Sequence, residues 1–153
     1  MHSKTLIFAG SLSLLAAVAH VAIIIGGPDW YRFFGAGEDM AKMAEQGELY
    51  PALITALIAT VLAIWGLYAF SAAGLVRRLP LMKTALVVIT TIYLLRGLVG
   101  LFGMALVGSV NSPYLNELQK EATFIWISSL VCLVFGGAYL FGTLGAWPRL
   151  ARS

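Results

Sequence analysis

Four long apolar runs constrain the fold of this chain more than any other feature of its sequence. They cover residues 5–26, 50–74, 84–108 and 123–145 approximately. A helix rises about 1.5 Å per residue, so roughly 18 or more consecutive apolar residues cross the ~30 Å hydrocarbon core of a bilayer. Each run therefore predicts one transmembrane helix. Asn111, Ser112 and Pro113 resemble a helix stop followed by an N-cap and a first-turn proline, so the fourth helix is predicted to begin near Pro113, and Pro148 is predicted to end it.

Composition agrees with this interpretation. Hydrophobic residues make up 60% of the chain and charged residues 11%, whereas soluble globular domains have about 25% charged residues. We predict an all-α integral membrane protein, a single transmembrane domain over 1–153 that folds as a four-helix transmembrane bundle. Residues 17–19 resemble a signal-peptide cleavage site, but the apolar run continues to Ile25, which favours a retained first span.

The distribution of charge predicts the orientation. The N-terminus, the second loop and the C-terminal tail hold six Lys or Arg residues, and the other two loops hold three. The positive-inside rule then places both termini in the cytoplasm. All seven acidic residues fall in the two loops assigned to the outside. We expect a multi-pass protein of a bacterial-type inner (cytoplasmic) membrane, with membrane lipids and not nucleic acid as its partners.

The first outer loop, residues 27–49, is predicted to form two short interfacial helices. Pro28 is typical of a first helical turn, and residues 38–46 form a second candidate helix, in which Glu38 would pair with Lys42. Aromatic and methionine side chains of this loop suit the headgroup region, or alternatively a lid over the outer mouth of the bundle. These side chains are Trp30, Phe33, Phe34, Met40 and Met43.

Small residues at helical spacing predict close packing between spans. The first span has Ala9, Ser13 and Ala17, and the fourth has Ser128, Cys132 and Gly136. The longest row lies in the second span and consists of Ala52, Ala56, Ala59, Ala63, Gly66 and Ala73. Such rows suit packing within the bundle, with a second copy of the chain, or with a partner membrane protein. The short turn after this span predicts that the second and third spans are antiparallel neighbours.

Arg96 is the one charged residue inside an apolar run, on a helix face shared with Tyr93, Gly100 and Gly103. An Arg at the centre of a spanning helix costs roughly 2.5–3.5 kcal/mol on insertion scales, so it should face protein or water. Its Cα lies ~18 Å along the helix from Thr84, and helical side chains tilt toward the N-terminus. We therefore expect the guanidinium near the midplane. It either joins helices through carbonyls and hydroxyls or binds an anionic group, such as a lipid phosphate, a carboxylate or a quinone oxygen.

Four further side chains project into the outer half of the spans, one layer above Arg96. They are His20, Thr55, Ser128 and Cys132. If they face one another, they line a polar cavity that opens to the outside. His20 has two interpretations, a hydrogen-bonded packing residue or a group that titrates near neutral pH and shuttles a proton.

Several membrane chemistries are excluded by residue type. The single Cys132 allows no internal disulfide and no cysteine metal cluster. A haem held between helices usually has paired His ligands, and His20 is the one histidine in a span. The acidic residues of the first outer loop match no metal motif, and a solvated surface is their simpler interpretation. We predict no metal site and no cofactor.

Two functional hypotheses follow from these residues. The favoured one is a non-enzymatic binding or accessory protein that holds a lipid-like or other anionic, amphipathic ligand near Arg96, or associates with a membrane partner. The alternative is a small transporter or membrane enzyme with an outward-opening polar site at Arg96 and His20. A catalytic site usually requires more convergent ionisable groups than these spans contain, which favours the first hypothesis.

Overall fold

The computed structural model describes residues 3–107 and 122–151. Within these residues the chain forms six helices and no strand. They are α1 (Lys4–Gly26), α2 (Pro28–Phe33), α3 (Glu38–Glu45), α4 (Tyr50–Ala73), α5 (Met82–Val107) and α6 (Ala122–Ala151). Four of them, α1, α4, α5 and α6, are long and apolar enough to cross a membrane. The predicted all-α, four-helix transmembrane bundle is confirmed.

Helix ends follow local chemistry. The Ser3 hydroxyl accepts a hydrogen bond from the Leu6 N–H at 3.4 Å and caps α1. Pro28 is the first residue of α2, as predicted. Gly74 ends α4 with φ of 82°, and Gly47 follows α3 with φ of 75°. Both glycines adopt the left-handed region in which a side chain is strained, so they stop the helices there.

The last helix is longer than the sequence predicts. We expected Pro148 to end it, but Pro148 lies inside α6, which continues to Ala151. A proline removes one backbone donor and leaves the following residues free to stay helical if packing holds them. Leu150, which is 4% exposed, packs into the main core and supplies that packing. The helix start predicted near Pro113 lies outside the described residues.

The four spanning helices pack as two close pairs. α1 lies against α4, α5 lies against α6, and contacts between α1 and α6 join the pairs. α4 and α5, which we predicted as antiparallel neighbours because of their short turn, have few contacts with each other. A short turn limits how far apart two helix ends lie, whereas side-chain size decides which helices approach closely along their length.

Glycines set the close approach within each pair. A Cβ on Gly66 of α4 would lie 3.0 Å from the backbone oxygen of Gly10 in α1. In the other pair, a Cβ on Gly97 of α5 would lie 2.9 Å from the backbone oxygen of Ser129 in α6. Each distance places one helix backbone almost directly against the next, a contact that any larger residue would prevent.

The predicted small-residue rows are only partly the contact surfaces. In α1, Ala9, Ser13 and Ala17 are all buried. In α4, Ala59 is buried but Ala56 is exposed. At about 100° per residue the predicted α4 row is centred roughly 60° away from the buried face, so its far edge, including Ala56, leaves the contact. The buried face of α4 includes Pro51, Thr55, Ala59, Leu62, Gly66, Ala69 and Ala73.

A chain of hydrogen bonds connects all four spanning helices in the core. Tyr139 Oη donates to the Trp65 carbonyl oxygen at 3.0 Å. Because that bond uses the only Tyr139 hydroxyl proton, Ser13 Oγ donates to Tyr139 Oη at 2.9 Å. The Tyr93 hydroxyl then donates to Ser13 Oγ at 3.1 Å. Each of the three hydroxyls in this hydrogen-bond network, those of Ser13, Tyr93 and Tyr139, has a partner, and the network fixes the relative positions of the two helix pairs.

The main core occupies the half of the bundle nearest the α4–α5 turn. Its last α5 member is Tyr93. A separate, smaller cluster of Ile23, Tyr31 and Ala41 lies at the opposite end, under α2 and α3. We call this opposite end the loop end. Four of the predicted site residues belong to neither cluster: His20, Thr55, Arg96 and Ser128.

Candidate functional site

Arg96 lies on the surface of α5, although it is inside a spanning helix. Its side chain is exposed, and its Nη2 donates to Ser128 Oγ of α6 at 3.4 Å. That distance is long for a hydrogen bond, so the bond is weak. A guanidinium has five N–H donors, and within residues 3–107 and 122–151 this is the one hydrogen bond it makes. Its other donors have no hydrogen-bond acceptor among the described residues.

The side chain of Arg96 points toward the loop end, contrary to our expectation. A Cβ on Gly100, one turn further along α5, would lie 2.9 Å from Arg96 Nη1. That Cβ would also overlap Ser129 Oγ of α6, so the guanidinium lies beside Ser129 in the space that Gly100 leaves free, and Ser128 offers an acceptor there. Local space and an acceptor outweigh the general tilt of helical side chains toward the N-terminus.

This direction changes the depth of the charge. Lys83 marks the turn end of α5, where its Nζ lies 5.7 Å from the Trp147 ring centroid. Gly100 lies 17 residues further along the helix, which is ~26 Å along its axis, and α5 continues to Val107. The guanidinium, level with Gly100, therefore lies on the loop-end side of the middle of α5, and its position relative to the membrane midplane stays a prediction.

The structure separates Arg96 from its predicted neighbour Tyr93. Tyr93 is 5% exposed, and its ring packs between Trp65 at 5.0 Å and Phe135 at 5.3 Å between centroids. Its hydroxyl belongs to the core hydrogen-bond chain. Cys132 is half-buried and packs against the same core. Of the predicted set, only Ser128 has a hydrogen bond with Arg96.

A cavity of about 280 Å³ lies at the loop end, below α2 and α3. His20 of α1 and Thr55 of α4, which we predicted to face a shared space, both line it. Arg96, Ser128 and Cys132 do not line it. The remaining lining is mainly apolar and consists of Ile23, Tyr31, Phe34, Gly35, Ala36, Met40, Ile54, Ile58 and Phe124. The predicted polar layer is thus divided: His20 and Thr55 line the cavity, whereas Arg96 is exposed on the surface of α5.

Three polar side chains line the cavity in different states. His20 Nδ1 lies 2.7 Å from the Ala16 carbonyl oxygen, and Thr55 Oγ1 donates to the Pro51 carbonyl oxygen at 2.7 Å. The Tyr31 hydroxyl is buried and has no hydrogen-bond partner among the described residues. Tyr31 is 2% exposed, so water reaches it poorly. A buried hydroxyl without a partner is costly, so the Tyr31 hydroxyl is the polar group of this lining that gains most from a hydrogen bond to a ligand.

The α2–α3 segment forms the cover of the cavity. A Cβ on Gly35 would overlap the Phe124 ring, so the turn between α2 and α3 lies directly on α6. Phe34 and Met40 line the cavity and pack against the loop-end cluster. Phe33 is 80% exposed and Trp30 43% exposed, while Met43 is half-buried. Of the predicted lid residues, Phe34 and Met40 therefore line the cavity. Trp30 and Phe33 are exposed, which suits anchors in the headgroup region.

An ion-pair network holds α2 and α3 together. Arg32 donates from Nε to Glu38 Oε2 at 2.9 Å and from Nη2 to Glu45 Oε1 at 2.8 Å. A second bond from Nη2 to Glu38 Oε1, also at 2.9 Å, makes the Arg32–Glu38 pair bidentate. We predicted that Glu38 would pair with Lys42, but Arg32 is its hydrogen-bonded partner. The planar fork of a guanidinium matches a carboxylate better than an ammonium does.

The pKa of Glu38 predicts how this cover responds to acid. The hydrogen bonds from Arg32 hold the pKa of the Glu38 carboxyl below its usual value of 4.5. A depressed pKa means that the stabilisation is complete above pH 4.5 and is lost as the pH falls through the lower folded value. We expect hydrogen exchange of α3 amides, corrected for intrinsic rates, to rise up to about five-fold over that range.

A substitution at neutral pH separates this effect from general acid damage. Glu38→Gln removes the carboxylate and should reproduce the faster α3 exchange at pH 7. Asp39→Asn removes an exposed neighbouring carboxylate and should leave the exchange rate unchanged. Equal exchange in wild type and Glu38→Gln would show that the pair with Arg32 does not hold the cover.

Metal chemistry finds no support in the described residues. No group of three or more His, Cys, Asp or Glu side chains is placed there to hold a metal ion.

A second cavity, of about 250 Å³, lies at the turn end beside Ser71. The Ser71 hydroxyl donates to the Arg77 carbonyl oxygen at 2.9 Å and accepts from the Leu79 N–H at 3.0 Å, so it organises the α4–α5 turn.

No protein-family model, no curated protein and no solved structure matches the chain. Its function must therefore be argued from its own geometry.

Sequence reasoning did not identify Tyr31 or Phe124 as part of a site. α2 has six residues, fewer than two turns, and its aromatic positions surround the helix, so periodicity cannot select the buried one. Phe124 resembles any other apolar residue of its run. In both cases the contact depends on how the α2–α3 turn lies across α6, a long-range feature.

Proposed function

We propose that this protein is a non-enzymatic, membrane-embedded binding protein that holds an anionic amphiphile, a lipid with a phosphate headgroup, at Arg96. The observation that carries the proposal is the exposed guanidinium, which turns toward the loop-end boundary of its span and makes one long hydrogen bond within the described residues. A charged group inside a spanning helix requires acceptors, and a long side chain that extends toward the end of its span can reach the lipid phosphates there.

The surroundings of Arg96 suit a phospholipid. A guanidinium donates to phosphate oxygens in a bidentate manner, and such charge-assisted bonds are stronger than neutral ones. Ile92 and Val99, four residues before and three after Arg96, share its face and are 43% and 67% exposed. An acyl chain can pack along these side chains while the headgroup contacts the guanidinium.

Part of the small-residue packing is used inside the bundle. Gly97 and Gly136 approach residues of the opposite helix within the α5–α6 pair. Gly10 and Gly66 have the same role in the α1–α4 pair. These four glycines are not available to a second copy or a partner protein, whereas Gly103, Gly137 and Gly145 have no described neighbour within 4 Å and stay open to lipid or to another helix.

The alternative hypothesis, a transporter or enzyme with a shared site at Arg96 and His20, has less support. His20 lines the loop-end cavity, and Arg96 does not. A shared working site would require both side chains to reach one ligand across that separation.

A lipid analysis tests the proposal. Native mass spectrometry of the purified protein should detect a retained phosphate-bearing lipid on the wild type and a strongly reduced amount on Arg96→Gln. Retention of the same lipid by both proteins would contradict the role of Arg96.

The proposal includes an orientation, with both termini in the cytoplasm of a bacterial-type inner membrane. The asymmetry of Lys and Arg, six against three, supports it. A reporter that is active only in the cytoplasm should be active when fused at the C-terminus. It should be inactive when inserted after Gly47, in the loop between α3 and α4. The opposite pattern would invert the orientation and place the Arg96 guanidinium on the cytoplasmic side of the middle of α5.

A further inference from the structure

We infer that the loop-end cavity is a second binding site, separate from Arg96, for a small uncharged molecule that carries a hydroxyl group. The cavity lies between α1, α4, α6 and the α2–α3 cover, and its volume of about 280 Å³ suits a single-ring compound. It is lined by mainly apolar side chains and a few polar groups, as small-molecule sites are.

The Tyr31 hydroxyl supplies the hydrogen-bond donor. Tyr31 is 2% exposed and lines the cavity, and its Oη has no hydrogen-bond partner among the described residues. Leaving a buried hydroxyl unpaired costs more than a typical hydrogen bond contributes, so a ligand oxygen that accepts from Tyr31 removes a penalty. This gives the cavity a preference for a polar ligand that a purely apolar space would lack.

His20 supplies an acceptor. The carbonyl oxygen of Ala16 only accepts hydrogen bonds, so the proton of the neutral His20 ring lies on Nδ1, 2.7 Å from that oxygen. Nε2 then carries a lone pair. A hydroxyl on the ligand satisfies both protein groups at once, since its oxygen accepts from Tyr31 and its proton is donated to Nε2. A carbonyl oxygen would satisfy only the first.

The lining also indicates that the ligand is uncharged. Among the described residues, it contains no Lys, Arg, Asp or Glu. Arg32 of the neighbouring α2 surface is engaged with Glu38 and Glu45 outside the cavity. Transfer of an ion into such a space without a partner is strongly unfavourable, whereas an alcohol or phenol loses little.

A pair of compounds that differ by one hydroxyl tests the inference. Thymol and p-cymene share the same hydrocarbon skeleton, and only thymol has a hydroxyl. In nanodiscs containing the wild-type protein, we expect thymol to raise the Tm in a saturable manner, with an apparent affinity about five-fold higher than that of p-cymene. Both compounds also partition into lipid, so the change in Tm of a variant with a blocked cavity, described below, supplies the baseline.

Substitutions assign the preference to this cavity. Tyr31→Phe should leave the Tm without ligand unchanged or higher, because it removes an unpaired buried hydroxyl. It should also reduce the preference for thymol to within two-fold. Tyr50→Phe removes the hydroxyl of a tyrosine that is 55% exposed, and it should retain the five-fold preference. His20→Asn keeps a donor for the Ala16 carbonyl while removing the Nε2 acceptor, so it should behave like Tyr31→Phe.

A blocking variant tests the location. Ala36 is exposed and lines the cavity, so Ala36→Trp should abolish the saturable shift. Equal affinity of the wild type for thymol and p-cymene would overturn the inference. So would an unaltered preference in Tyr31→Phe, or a saturable shift that persists in Ala36→Trp. A Tm of Tyr31→Phe several degrees below that of the wild type would also overturn it, because the hydroxyl would then have a structural partner.

Discussion

Arg96→Gln should lower the affinity for phosphate-bearing lipids at least ten-fold. The substitution keeps a polar, unbranched side chain but shortens it and removes its charge and its bidentate fork. A hydrogen bond to a charged group contributes about 1.5–3 kcal/mol, and 1.4 kcal/mol corresponds to a factor of ten in affinity. Arg96→Lys retains the charge without the planar fork, so we expect an intermediate affinity. Titration with phosphatidylglycerol, followed by native mass spectrometry, measures both changes.

Two controls make this result specific. Diacylglycerol has the same acyl chains without the phosphate, so its binding should be equal in wild type and Arg96→Gln. Arg78→Gln removes an exposed arginine from the α4–α5 turn and should change phosphatidylglycerol affinity less than three-fold, as a surface charge does. An equal loss in Arg78→Gln and Arg96→Gln would mean that net charge, and not the Arg96 site, attracts the lipid.

Gly66→Leu should destabilise the bundle by about 2–3 kcal/mol. The glycine leaves α4 in contact with α1, and its Cβ position is 3.0 Å from the Gly10 backbone oxygen and 3.0 Å from the Leu14 side chain. A backbone atom cannot rotate away as a side chain does, so the helices must separate. Leucine is a better helix former than glycine by roughly 1 kcal/mol, which works against the expected loss. Reversible unfolding in increasing mole fractions of sodium dodecyl sulfate measures the free energy.

Ala56→Leu is the matched control for this prediction. It introduces the same side chain on the same helix, at a small residue that the sequence places in the same row. Because Ala56 is exposed, the free energy of unfolding of the Ala56→Leu protein should differ from that of the wild type by less than about 0.5 kcal/mol. Similar losses in Gly66→Leu and Ala56→Leu would contradict the assignment of the α1–α4 contact to Gly66.

Local features of the fold could be predicted from the sequence. The length and polarity of the apolar runs determine the four spans, because a bilayer core permits little else. Pro28 and Gly47 mark helix ends through backbone geometry that depends on a few neighbouring residues. These properties require no knowledge of how the helices are arranged.

Long-range features could not be predicted in this way. The pairing of α1 with α4 and of α5 with α6 depends on which glycines meet across helices, and several rows of small residues were equally eligible. The direction of the Arg96 side chain depends on the space beside Gly100 and on the Ser128 hydroxyl of another helix. Tyr93 shows the same limit, since its place in the core depends on Ser13 of α1.

The central claim is that a lipid phosphate contacts the Arg96 guanidinium, and a distance measurement tests it most directly. Protein labelled with ¹³C at arginine Cζ, in phosphatidylglycerol bilayers, permits solid-state NMR measurement of ¹³C–³¹P dipolar dephasing. We predict dephasing that corresponds to a Cζ–phosphorus distance of about 4–5 Å, as for a hydrogen-bonded guanidinium and phosphate, and its loss in Arg96→Gln. The same short-range dephasing in wild type and Arg96→Gln would contradict the account, because the contact would then belong to other arginines.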